Sequence, residues 1–175
     1  MKPTLLFFLK IFVYAAVTYG GTQFLVYYFF DDNQNLLRPL ISGLGFGLII
    51  GLAFTYKQVR EVKKLKGKDF TSEDLSLHQA AHFQTPLTKA QILEKLQTNY
   101  PAKDWKMTEE ADLISLKTTY SWKSFGEKVR IKTEQLQNGL SEVFIESKPR
   151  TWLTVADYGK NLENITYLRK LLSGR

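Results

Sequence analysis

The sequence predicts an α+β protein: an N-terminal two-helix transmembrane hairpin, followed by a small cytoplasmic domain with an antiparallel four-stranded sheet flanked by two helices. Three observations carry this expectation. Residues 36–56, LLRPLISGLGFGLIIGLAFTY, hold a single charge, Arg38. As a helix they match the about 20 residues that cross a ~30 Å hydrocarbon layer. Immediately after them come Lys57, Arg60, Lys63, Lys64, Lys66 and Lys68. From residue 103 onward the apolar residues change from helical spacing to alternation, which marks strands.

The first span is expected at 11–30. A basic start before an apolar run also fits a signal peptide, but Lys10 interrupts it and apolar residues continue to Phe30 without a small-x-small cleavage site. An uncleaved span, with Lys10 reaching toward the headgroups, is the reading adopted. Ala16 and Gly20 are four residues apart, as are Gly43, Gly47 and Gly51 in the second span. Such small faces let two membrane helices approach closely. Tyr27, Tyr28, Phe29 and Phe30 suit an interfacial belt. The loop at 31–38 is short enough to make the spans antiparallel neighbours. It has one basic residue, against six in 57–68, so the positive-inside rule places both termini in the cytoplasm of a cell with this chain in its inner (plasma) membrane. Membrane lipids are therefore the first expected partners.

Three segments follow: a hairpin at 1–56, a basic juxtamembrane stalk at 57–86 and a domain at 87–175. Val59, Val62 and Leu65 extend the second helix to about residue 66, and Gly67 is a suitable stop. TSEDLSLHQAAHF predicts a further helix, capped by Thr71 or Ser72, with His78 and His82 on one face. No glutamate follows His78 as a zinc-protease motif requires, and ordinary surface histidines are expected there. The next helix has clear local chemistry. Thr88 and Gln91 form a capping box, Leu87 and Ile92 a hydrophobic staple, and Ile92, Leu93 and Leu96 a buried stripe, with Pro101 ending it.

Strands are expected at 105–107, 113–119, 127–134 and 140–147, with turns at 109–112 and 137–139. Val129, Ile131 and Thr133 alternate with Lys128, Arg130 and Lys132, which predicts a half-exposed strand with a basic outer face. A last helix, capped by Asn161, would bury Ile165, Leu168, Leu171 and Leu172. Arg169 and Lys170 in its last turn complement the helix dipole.

Two soluble segments are distinctive, SWKSFGEKV and ESKPRTWLTVADYGKN. On SWKSFGE and DYGKN, residues 88–175 resemble small membrane-anchored bacterial proteins of uncharacterised function. The resemblance implies no activity. Physically, Asp157-Tyr158-Gly159 is a turn and Asn161 a cap. The same parts form a candidate anion or headgroup site, with helix-start N–H groups beside Lys148, Arg150, Lys160 and Asn161. Trp122, Phe125 and Trp152 are expected in the core more than at a rim.

No enzyme signature emerges. The glycines of GLGFG lie inside an apolar span and lack a GK[ST] ending, and G-x-S-x-G and H-E-x-x-H are absent. The chain has no cysteine, which excludes disulfides, thiolate metal sites and cysteine nucleophiles. Net charge is +7, with much of the excess flanking the second span, so a membrane flank is expected rather than nucleic acid. The expectation is a non-enzymatic integral membrane protein without a cofactor. It would present a cytoplasmic module to anionic lipid headgroups or to another membrane or cytoplasmic protein. The alternative is a subunit of an oligomeric channel or transporter assembled through glycine-faced helices, and a homo-oligomer is compatible with both.

Overall fold

Two long apolar helices open the chain, α1 (Pro3–Phe30) and α2 (Leu37–Lys66), and each is long and apolar enough to cross a membrane. The computed structural model describes residues 3–30, 37–99, 101–111, 113–121 and 123–173. Most of the predicted 31–38 loop lies outside them, while Leu37 and Arg38 already belong to α2. The chain divides into two compact units, Met1–Leu75 and Ser76–Arg175.

In the first unit the small residues set the packing. A Cβ on Gly43 would lie 2.9 Å from the Ala16 carbonyl oxygen and from the Gly20 Cα. One on Gly47 would lie 2.7 Å from the Ala16 Cβ, and one on Gly51 2.9 Å from the Phe8 ring. Advancing along α2 from 43 to 51 thus means retreating along α1 from 20 to 8, so the helices are antiparallel. The predicted packing set of Ala16, Gly20, Gly43, Gly47 and Gly51 is spent inside this hairpin. The outward faces keep Val17, Ile49 and many other apolar side chains exposed.

The buried stripe of α2 continues past residue 56 through Gln58 and Val62, as helical spacing requires. The helix stops at Gly67 (φ +77°), whose N–H donates to the Lys63 carbonyl at 2.9 Å, the left-handed glycine ending expected from the sequence. The chain then folds back. Leu75 is buried, the Gln58 amide donates to its carbonyl at 3.4 Å, and Lys66 pairs with Asp74 at 3.3 Å.

Residues 71–83 form no helix. Asp74 accepts from the Thr71 N–H at 2.7 Å and the Thr71 hydroxyl at 3.0 Å, closing a turn. Beyond it lies β1 (Gln79–Thr85), within the segment read as stalk. The physical reason is that a spacing of four puts His78 and His82 on one face of a strand as well as of a helix. Gln79 and Thr85 are buried and alternate with exposed Ala80, His82 and Gln84.

The second unit therefore has five strands rather than four. After β1 come α3 (Lys89–Thr98), a 3-10 turn (Ala102–Asp104), β2 (Lys106–Glu110), β3 (Leu113–Lys117), β4 (Glu127–Gln135), β5 (Ser141–Pro149) and α4 (Lys160–Leu172). All pairings are antiparallel, and the order is β1-β5-β4-β3-β2. The predicted meander is present as β2 to β5, and β1 adds to its far edge. The capping box of Thr88 and Gln91 opens α3 as expected. Ile92 and Leu96 of α3 and Ile165, Leu168 and Leu172 of α4 pack on Ile114, Leu116, Val129, Ile131, Val143 and Ile145. Both helices thus cover one face of the sheet. Truncating one of these core side chains to alanine costs about 2–5 kcal/mol.

Candidate functional site: a lysine row on the open sheet face

Because side chains alternate along a strand, covering one face by helices leaves the other as an uncovered array. Its last rung is built by register. Lys106 is the partner of Lys117, Lys117 of Lys128, and Lys128 of Lys148. At about 4.8 Å between neighbouring strands, the four lysine positions span about 15 Å of backbone across β2, β3, β4 and β5. Lys106, Lys117 and Lys128 form no ion pair with any of the described residues. Like charges directly opposite one another destabilise a sheet. A rung of four is a cost that an anion lying across it would offset.

Beside the row, Glu146 gathers three basic side chains. It accepts from His78 Nε2 at 2.5 Å and Lys148 Nζ at 3.2 Å, and Arg130 lies 3.9 Å away. Burial raises its carboxyl pKa, but the hydrogen bonds from His78 and Lys148 and the charge of Lys148 outweigh that and hold it below the ordinary carboxylate value. Lys148 is thus positioned by Glu146 at one end of the row. The other histidine, His82, pairs with Glu142 at 3.0 Å. Among the described residues no group of three or more His, Asp or Glu side chains could hold a metal ion.

The anion site predicted around DYGKN comes apart. Lys148 lies on the open face, whereas Asn161 is fully buried on the helix-covered side. The N-cap of α4 is Gly159 (φ +74°), not Asn161. The helix-start N–H groups already have an anion, because Asp157 accepts from Gly159 N at 3.1 Å and Asn161 N at 2.8 Å. Asn161 Nδ2 donates to the same carboxylate at 2.7 Å, and its Oδ1 accepts from the Ser147 hydroxyl at 2.7 Å. Asn164 Nδ2 extends this network to Ser147 at 3.3 Å and to buried Glu127 at 3.4 Å. Lys160 pairs with Glu163 at 3.2 Å. These groups lock α4 to the sheet. Arg150 stands over the Tyr120 ring at 5.3 Å, at the end of the sheet where the row lies.

Of the basic flank, Lys64 pairs with Glu61 at 2.6 Å, Lys66 with Asp74, and Lys63 lies over the Phe70 ring at 5.9 Å. Lys57 and Arg60 fall in α2 and Lys68 just beyond Gly67. Phe125 and Trp152 are exposed, not core, and Trp122 lies outside the described residues. Lys128, Arg130 and Lys132 are legible in the sequence as one strand face, but the row is not. Lys106 and Lys117 join it only through strand register, which no local pattern displays.

No protein-family model, curated protein or solved structure matches this chain.

Proposed function

We propose that this is a membrane-anchored binding protein. In this reading α1 and α2 cross the bilayer as a hairpin with both termini on the cytoplasmic side, and the domain that follows binds the phosphates of anionic lipid headgroups through its lysine row. The carrying observation is the in-register alignment of Lys106, Lys117, Lys128 and Lys148 on an uncovered sheet face. The two long apolar helices support the anchor, and the basic flank after the second supports its orientation. An anchored domain meets its own membrane surface at high effective concentration, so weak individual contacts suffice. Each lysine near an anionic surface contributes about 1 kcal/mol at physiological salt, and the four act together.

The test uses the full chain in uncharged detergent, with thermal unfolding of the domain followed on adding short-chain anionic or zwitterionic lipid. A ligand that binds the folded state raises the midpoint. The expected result is a rise with the anionic lipid alone, lost when all four lysines are changed to glutamine. An equal response to both lipids, or an undiminished anionic response in the variant, contradicts the reading.

A further inference from the structure

The end of the sheet that carries the lysine row also carries the most exposed large apolar side chains of the second unit. Trp152 is 89% exposed, Tyr120 69%, Phe125 67% and Leu153 57%. They belong to the two loops that leave this end, β3 to β4 and β5 to α4. Folding normally removes such surface from water, and large apolar side chains left exposed on two adjoining loops beside cations mark an interaction site.

These loops are pinned. The Arg150 N–H donates to the Gly126 carbonyl at 3.1 Å, joining one loop to the other. Phe125 precedes Gly126 by one residue and Trp152 follows Arg150 by two, so both stand beside this junction. Gly126 has φ +83°, and a Cβ there would lie 3.1 Å from the Thr118 carbonyl oxygen and 3.2 Å from Arg150 Cδ, so the close approach needs glycine. Ser121 and Ser124 exchange backbone hydrogen bonds at 3.0 and 3.2 Å. Beneath them the fully buried Glu127 carboxylate accepts from the Thr118 hydroxyl at 2.5 Å and from the Ser124 hydroxyl. The exposed aromatics therefore sit on a preorganised support, which lowers the ordering cost of inserting them.

We infer that the two loops form a membrane-penetrating tip. Tyr120, Phe125, Trp152 and Leu153 enter the interfacial layer of an anionic bilayer, while Arg150, Lys148 and the rest of the row stay level with the phosphates. The pairing of chemistries fixes the occupant. Tryptophan and tyrosine are amphipathic and concentrate at the membrane–water interface. Basic residues beside an apolar patch add attraction to anionic lipid. The cation of Arg150 over Tyr120 places one such charge at the base of the tip. The inference rests on the headgroup reading for its membrane surface, and adds a penetrating contact that lysines alone do not make.

The chain has no cysteine, so single nitroxide labels can be placed on the full protein. Trp152→Cys and Phe125→Cys replace exposed side chains, and Gln137→Cys, exposed in the turn between β4 and β5, is the control. Each labelled protein is reconstituted in nanodiscs of anionic lipid, and collision with apolar oxygen is compared with collision with an aqueous nickel chelate. The inference predicts oxygen-dominated collision at 152 and 125 and nickel-dominated collision at 137. Nickel-dominated collision at all three positions overturns the tip, as does oxygen-dominated collision at 137 as well. The lipid-dependent unfolding midpoint separates the two ideas. A midpoint shift that still needs the four lysines, with 152 in water, removes the tip and leaves headgroup binding standing. Insertion at 152 without any midpoint shift removes headgroup binding by the row and keeps the tip.

Discussion

Lys117 on β3 stands directly opposite Lys128 on β4, and neither has an acidic partner among the described residues. Repulsion between them is a standing cost, because cross-strand like charges destabilise where opposite or neutral pairs stabilise by about 0.2–1 kcal/mol. Lys117→Thr should therefore raise the unfolding free energy by a few tenths of a kcal/mol while lowering the midpoint shift caused by anionic lipid. Denaturant titration with and without lipid reads both effects. Unchanged lipid response in the more stable variant would sink the functional role of the row.

The hairpin gives an opposite kind of prediction. Gly47→Leu places its first side-chain carbon 2.7 Å from the Ala16 Cβ and 2.8 Å from the Phe12 carbonyl oxygen. Overpacking of this kind costs about 1–3 kcal/mol. The helices should separate, read as a longer distance between labels on α1 and α2, with the oligomeric state in detergent unchanged. Loss of an oligomer with an intact hairpin would instead favour the channel-subunit reading.

Glu146 sets a pH dependence. Its carboxyl is held below the ordinary value, so it contributes stability above the unfolded-state pKa and loses that contribution as pH falls through the lower folded-state value. The groups facing it are His78 of the segment before β1, Arg130 of β4 and Lys148 of β5. Glu146→Gln should be less stable than the parent near neutral pH, and the two should converge in acid once the pH has fallen through the lowered folded-state pKa of Glu146. A difference that persists unchanged into acid would contradict this account of Glu146.

Asn161 separates a helix lock from an anion site. Asn161→Ala removes the donor to Asp157 and the acceptor for Ser147 inside a buried network. Hydrogen bonds of this kind contribute about 0.5–3 kcal/mol each, most where one partner is charged. The expected outcome is a lower unfolding midpoint with an undiminished response to anionic lipid. A lost lipid response at unchanged stability would restore the site at DYGKN.

Local chemistry was legible in the sequence wherever neighbours along the chain decide the structure. The capping box at Thr88 and Gln91, the stop at Gly67 and the small-residue face of Gly43, Gly47 and Gly51 depend on spacings within one element. The fifth strand was hidden because four-residue spacing is common to helix faces and strand faces, and the His78–His82 pair satisfies both. The Asn161 cap failed because Asp157 reaches the same N–H groups from outside the helix. The lysine row is not legible in the sequence because Lys106 and Lys148 are distant along the chain and share a rung only through three successive registers. Lys148 alone of the predicted anion-binding residues lies in that row.

The central claim is that the lysine row on the open sheet face meets anionic headgroups. Ser115, the register partner of Arg130 on that face, lies two residues before Lys117 on β3 and reports on the row without belonging to it. A nitroxide on Ser115→Cys, in full-length protein reconstituted with nickel-chelating headgroup lipid, measures contact with the bilayer surface. The account predicts strong relaxation by the headgroup nickel in anionic nanodiscs, weak relaxation in zwitterionic ones, and loss of the difference when the four lysines become glutamine. Equal, weak relaxation in both lipids would contradict it.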